Sequence, residues 1–173
     1  MSSRWTTADI TDQSGRTVVI TGANSGLGLQ STRALTDAGA RVLMACRDVG
    51  RAEDARAGLG HPDRAEVVQL DLADLDSVRA AAETLAPRRP DVLINNAGLM
   101  NIPRGSTAQG HEMQFGVNVL GHFALTRVLE PVLTDRVVWL GSMMHRFGSV
   151  DPDDLDWNRR RYSPMPVYGA TKL

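Results

Sequence analysis

Tyr168 and Lys172 stand four residues apart in the closing stretch VYGATKL, and Lys172 is the only lysine among nineteen basic residues. On a helix, residues at this spacing share a face and lie about 6 Å apart along the axis. A free phenol has a pKa of about 10, and a proton donor working near neutral pH needs about 7, a difference worth about 4 kcal/mol. One ammonium about 4 Å away supplies on the order of 4 kcal/mol at an effective dielectric of about 20. The pair therefore reads as an acid–base couple, built with a slim ammonium where a broad, rigid guanidinium would not substitute. The plainer reading is a half-buried aromatic that happens to precede a lysine by one turn.

A second constellation is TGANSGLG, with Gly22, Asn24, Ser25, Gly26, Leu27 and Gly28 directly after the apolar run TVVIT. Glycines at a strand-to-helix turn let the backbone bend sharply and approach a phosphate, whose charge meets free N–H groups and the positive end of the following helix. The spacing is GxxxGxG, so the strict GxGxxG fingerprint is absent, and a Walker loop is excluded because no lysine follows the last glycine. Taken alone, the glycines also fit a plain structural turn.

These residues need a scaffold, and the rest of the chain describes one. Short apolar runs at Thr17–Thr21, Arg41–Ala45, Glu66–Leu70, Asp91–Asn95 and Arg136–Leu140 read as buried strands. Between them lie helical stretches at Leu27–Ala38, Arg51–Leu59, the segment after Asp74 with Leu75, Val78, Ala82 and Leu85 on one face, and His111 to about Leu129. The alternation predicts right-handed βαβ units around a parallel sheet covered on both faces: an α/β, Rossmann-like, doubly wound fold. Gly141–Pro166, with three prolines, reads as an irregular loop, and Pro166 as the opening of the helix that carries Tyr168 and Lys172. Residues 1–14 read as an N-terminal arm and residues 15–173 as one dinucleotide-binding domain.

Composition narrows the partners. A formal net charge of -1, with 42% apolar and 23% charged residues, is ordinary globular chemistry and gives no electrostatic pull toward nucleic acid or an anionic membrane. The single cysteine, Cys46, has no internal partner, which suits a reducing compartment and makes the cytoplasm the expectation. The first fifteen residues lack an apolar signal core, and no run long enough to span a membrane follows. His61, His111, His122 and His145 show no close metal-ligand spacing and read as solvated or capping residues, although His145 lies near Ser142. Arg159–Arg161 reads as an exposed loop rather than a nucleic-acid patch.

In a Rossmann site an acidic residue after the second strand bonds the ribose hydroxyls of NAD. Here Cys46 and Arg47 occupy that place, and a guanidinium pairs with a 2′-phosphate by charge and fork geometry. That favours NADP over NAD, while a solvated Arg47 neutralised by Asp48 is the alternative.

The chain resembles the short-chain dehydrogenase/reductase family from about Gly15 to Leu173. The residues that carry the likeness are Thr21, Gly22, Gly26 and Gly28, then Asp71 and Leu72, then Asn95, Asn96, Ala97 and Gly98, then Asn118, Ser142, Tyr168 and Lys172. ACRD, GVNVLGHF and DDLDW followed by YSP further resemble the retinol dehydrogenase-like branch. The resemblance implies an NADPH-dependent oxidoreductase acting on a carbonyl or alcohol. Ser142 would bond the substrate carbonyl oxygen, and Tyr168 would protonate it. Lys172 would depress the tyrosine pKa and hold the nicotinamide ribose, and Asn118 would fix a water behind Lys172. Asp71 and Leu72 would meet the adenine, Asn95 to Gly98 would line the cleft, and Asn24 and Ser25 would join Arg47 at the 2′-phosphate. Each residue alone has a plainer reading: Asn118 as a helix-bending residue, Ser142 as a turn hydroxyl bonding its own backbone.

The family's domain continues past the Tyr-Lys helix, so the resemblance implies a Rossmann domain truncated after the fifth strand and the start of the catalytic helix. RVVWL would then lie at an exposed edge, and a non-catalytic dinucleotide-binding module stays open as the second function. Relatives pair through the helices carrying Asn118 and Tyr168, which implies a homo-oligomer by that route.

Overall fold

The computed structural model describes residues 5–173, so positions 1–4 of the N-terminal arm lie outside the described residues. Five parallel strands form the sheet: β1 (Thr17–Thr21), β2 (Arg41–Cys46), β3 (Ala65–Gln69), β4 (Val92–Asn95) and β5 (Arg136–Trp139), in the order β3-β2-β1-β4-β5. Their contiguous apolar runs are what a sheet covered on both faces demands. Alternate side chains go to opposite layers. Val19, Leu43 and Leu93 pack beneath α3 (Leu75–Leu85) and α5 (His122–Leu129). Val18, Ile20, Val42 and Met44 fill the layer on the other face, beside α1 (Gly26–Asp37) and α2 (Val49–Ala57). Full burial of such a side chain stabilises by about 1.5–3 kcal/mol.

The chain enters at β1, winds outward to β3, then crosses back to β4 on the other side of β1. The strand order reverses between β1 and β4, the place where open α/β sheets leave a crevice at the carboxyl ends of their strands.

The helices begin where capping side chains allow. Asp48 accepts the Arg51 N–H at 3.0 Å, so α2 starts at Val49, two residues before the apolar pattern suggests. Asp74 does the same for α3 through the Asp76 N–H. The helix expected over His111–Leu129 begins later and is not uniform. It opens as α4 (Met113–Phe115), widens into a π-helical segment at Gly116–Gly121, and resumes as α5. A Cβ at Gly116 would strike the Thr107 methyl, and one at Gly121 would lie 2.5 Å from the Leu72 carbonyl oxygen. Close packing at both ends of the wide turn explains its two glycines, and such turns gather at functional sites.

Gly141–Pro166 is more ordered than its sequence suggests. Ser142 caps a 3₁₀ turn at Met143–Phe147, and α6 (Pro164–Ala170) opens at Pro164 rather than Pro166, with proline in the first turn where its missing N–H costs nothing. The buried Asp154 accepts backbone N–H groups of Asn158, Arg159 and Arg160 and the Arg160 side chain, whose guanidinium also lies 3.9 Å over the Trp157 ring. One member of the arginine run is therefore structural. Glu112, 2% exposed, accepts the Gln114 and Phe115 N–H groups and the Tyr162 hydroxyl, which ties the loop to the start of α4. At the sheet's edge, Val138 and Trp139 of β5 are 38% and 49% exposed.

Candidate active site

A cleft of about 450 Å³ opens at the reversal point. Of the residues expected at a dinucleotide, Gly22, Asn24, Ser25, Leu27, Arg47, Asp71, Leu72, Ala97 and Gly98 line it. Gly22 and Gly26 take φ of +65° and +52°, the left-handed region that glycine enters without a steric cost. Gly28 does not line the cleft; it seats α1 against the turn, because a Cβ there would collide with the Gly22 carbonyl oxygen and lie 2.5 Å from Asn96 Nδ2. Ser25 stands at the N-cap of α1 without making a side-chain cap bond, so the first-turn N–H groups face outward for an anion.

Asn95 is the site residue that the structure relocates. Its side chain is 2% exposed and points under the sheet, where Nδ2 donates to Thr126 Oγ1 at 3.0 Å. Its neighbour Asn96 takes the place at the cleft and donates from Nδ2 to the Thr21 carbonyl at 2.8 Å. Alternation along β4 explains the exchange: Asn95 ends the strand facing the helix layer, so the next residue faces the crevice.

Arg47 is exposed on the rim of the cleft and forms no ion pair among the described residues. Asp48 beside it spends its carboxylate on capping α2. The neutralising Arg47–Asp48 ion pair, the alternative weighed for Arg47, is not formed among the described residues.

Ser142, Tyr168 and Lys172 do not line the cleft; Lys172 reaches its wall through Leu140. Lys172 falls just past the end of α6, yet its Nζ lies 5.8 Å from the centroid of the Tyr168 ring and donates to the Leu140 carbonyl at 3.1 Å. Leu140 lines the cleft, and a Cβ on Gly98 would lie 4.0 Å from Lys172 Nζ. The ammonium thus stands behind the cleft's far wall, and burial pushes its pKa down. Among the described residues no group hydrogen-bonds the Tyr168 hydroxyl. Ser142 Oγ accepts the Met144 N–H at 3.2 Å, so the turn-hydroxyl reading holds, and the serine proton is still free to donate. The turn carrying Ser142 meets α6 backbone to backbone: a Cβ on Gly169 would lie 2.7 Å from the Met144 carbonyl oxygen, and one on Gly148 would overlap Gly169.

Asn118 sits in the π segment with its side chain fully engaged. Oδ1 accepts the Leu99 N–H at 2.8 Å, and Nδ2 donates to the Leu99 carbonyl and to Thr171 Oγ1, each at 2.9 Å. It ties the cleft wall at Leu99 to the residue preceding Lys172. Its side-chain bonds all go to Leu99 and Thr171 and none to its own helix.

Sequence reasoning passed over Thr21 as a hydrogen-bonding hub and the Gly148–Gly169 contact, and its solvated or capping reading of His122 is corrected by burial: the ring is enclosed against Thr21 and the Asn118 carbonyl. His122 is 2% exposed, and desolvation brings its pKa down to about 4. The unfolded state, with a pKa near 6.5, binds the proton first, so stability falls as pH drops from about 6.5 to about 4. The difference amounts to about 3 kcal/mol. Urea midpoints measured across that window should drop for the natural chain and stay flatter for His122→Gln.

The sequence and the fold are matched by known proteins. A family model described as short chain dehydrogenase matches residues 16–147, and the chain belongs to that family. It is 42% identical over 170 residues to human retinol dehydrogenase 13, covering 92% of this chain and 51% of that protein. The chain spans about half the length of the curated relatives it matches. The crystal structure of an uncharacterised protein from Mycobacterium paratuberculosis superimposes with a TM-score of 0.92 at 50% identity, covering 97% of this chain and 61% of that one. A short-chain dehydrogenase from Sphingobium yanoikuyae, solved in complex with NADPH, gives 0.70 at 27% identity, covering 91% and 60%. No helix among the described residues is long and apolar enough to cross a membrane.

Proposed function

We propose that the chain carries the nucleotide and proton-transfer sites of an NADP-dependent oxidoreductase acting on an aldehyde, ketone or alcohol. The observation that carries this is a crevice with free backbone N–H groups and Arg47 on its lining, walled on another side by Leu140, whose carbonyl accepts from the Lys172 ammonium that rests against the Tyr168 ring.

The residues present fit a dinucleotide. Gly22 and Gly98 both line the cleft, and each packs where a Cβ would press on its neighbours, Ala97 for Gly22 and Asn118 for Gly98, so the wall keeps its close-packed shape. When bound, NADPH supplies the hydride. Ser142 hydrogen-bonds the carbonyl oxygen through its free hydroxyl and keeps its proton, while Tyr168 transfers the one proton that oxygen gains. Lys172, held by the Leu140 carbonyl, keeps positive charge beside the phenol and retains donors for a ribose hydroxyl. Asn118 holds Leu99 and Thr171, and through Thr171 the backbone of Lys172. The substrate class agrees with the name of retinol dehydrogenase 13, and the cofactor agrees with the NADPH complex of the Sphingobium relative. The lone, buried Cys46 fits a reducing, cytoplasmic setting. Phe123 and Val128, exposed on α5, are the surface that a second copy would cover.

A second reading is nucleotide binding without turnover. It is favoured by the makeup of the cleft wall, which includes most of the nucleotide residues but not Ser142, Tyr168 or Lys172.

Cofactor choice tests the phosphate end. Charge-assisted hydrogen bonds contribute about 1.5–3 kcal/mol, so Arg47→Ala should weaken NADPH binding about 10–100-fold. NADH binding should stay within about twofold, since it has no 2′-phosphate to lose. Titration of both nucleotides decides it: equal losses would remove Arg47 from the site.

A further inference from the structure

His122 lies outside the catalytic set, yet it is fully buried between the cleft and the π segment. Its Nε2 lies 2.9 Å from Thr21 Oγ1, and its Nδ1 lies 3.3 Å from the Asn118 carbonyl oxygen. The tautomer follows from counting protons. Thr21 Oγ1 already accepts the N–H groups of Asn96 and Ala97, both at 3.0 Å, which fills its lone pairs. Its own proton must go elsewhere, and the nearest alternative acceptor, the Ile94 carbonyl, is 3.5 Å away. Thr21 therefore donates to Nε2, and the imidazole donates from Nδ1–H to Asn118.

We propose that His122 is a positioning residue that sets the cleft floor, using its Nε2 to orient the Thr21 hydroxyl under Asn96 and Ala97 and its Nδ1–H to fasten that hydroxyl to the Asn118 turn. The inference rests on the nucleotide reading of the cleft, since Asn96 and Ala97 line it. Only the neutral ring does this work. An imidazolium would present a second N–H to Thr21, forcing the hydroxyl to release a backbone donor. The surroundings keep the ring neutral: Thr21 and Asn118 offer no charge, the Trp139 ring packs edge-on at 5.9 Å, and the ammonium of Lys172 opposes a second positive charge.

Two measurements test this, and one of them needs no nucleotide. Imidazole nitrogen shifts should show Nδ1 protonated and Nε2 bare from pH 8 down to about 5.5, given a depressed pKa. An Nε2–H ring, or titration near pH 6.5, overturns the proposal. In His122→Phe, hydrogen exchange at the Ala97 amide should accelerate about tenfold or more, the change that loss of one hydrogen bond allows. The Val19 and Leu43 amides of the inner ladder should hold within about twofold, which separates local loosening from general destabilisation. NADPH affinity should fall about tenfold in the same variant, and His122→Gln, whose Oε1 can accept from Thr21, should recover most of both effects. Unchanged Ala97 exchange in a folded His122→Phe overturns the proposal. Should the Phe variant not fold, His122→Asn, which keeps only the Nδ1-like donor, must show the same Ala97 acceleration, and its absence there overturns it equally. Absence of NADPH binding by the natural chain would instead sink the nucleotide reading, while the tautomer and exchange results would still decide the role of His122.

Discussion

Replacing Tyr168 by phenylalanine lowers carbonyl reduction by about 10²–10⁴-fold while leaving NADPH affinity within about twofold, on this chain or on any longer chain that carries it. The change removes one oxygen and its proton and keeps the ring against which Lys172 Nζ rests at 5.8 Å. Packing of α6 survives, because the Gly148–Gly169 contact and the buried Val167 hold the helix without the phenol. The loss falls on kcat because the proton is needed only as charge develops on the carbonyl oxygen. Progress curves with saturating NADPH, compared between the two proteins, read the split. An equal fall in nucleotide affinity would show that the hydroxyl builds the cleft rather than serving the reaction.

Gly28→Ala has the largest expected effect at the phosphate end. Its Cβ would collide with the Gly22 carbonyl oxygen and approach Asn96 Nδ2 to 2.5 Å, so either α1 retreats from the turn or the turn deforms. Both partners are fixed, since Asn96 Nδ2 bonds the Thr21 carbonyl and Gly22 already occupies a left-handed conformation. Overpacking of this kind costs about 1–3 kcal/mol of stability. Displacement of the helix N-terminus should weaken NADPH at least ~100-fold, because the backbone donors move together. Thermal melts and nucleotide titrations of a folded Gly28→Ala check the two parts separately. Wild-type affinity in that variant would mean the nucleotide does not sit on the glycine turn.

The contrast between what the chain's order reveals and what it hides is physical. The two central strands β1 and β2 were legible because a strand covered on both faces must be a contiguous apolar run, as in TVVIT and RVLMA, and all five strands have ends that agree with the sequence reading to one residue. The glycine turn was legible because its conformational demand is local. The π segment was not, since GVNVLG keeps a helical apolar rhythm, and the close packing that its two glycines permit is against Thr107 and Leu72, outside the segment. The loop before α6 hid for a similar reason: Glu112, Tyr162 and Asp154 are polar residues whose partners are revealed only by the fold. Asn95 shows the limit of motif reasoning. The NNAG run marks the right loop, but strand alternation decides that Asn96, not Asn95, faces the cleft. His122 could have been suspected from its place one turn after Asn118, yet its role rests on proton counting at Thr21, which no spacing displays.

The central claim is that this crevice brings a dinucleotide's hydride and the Tyr168 proton to one carbonyl group. Supplying NADPH deuterated at the transferable position, with a panel of aldehydes and ketones, measures it directly by product mass. The account predicts an alcohol carrying deuterium on the former carbonyl carbon, formed by the natural chain and lost with Tyr168→Phe. An alcohol without the label, or labelled product formed equally fast by the phenylalanine variant, would contradict it.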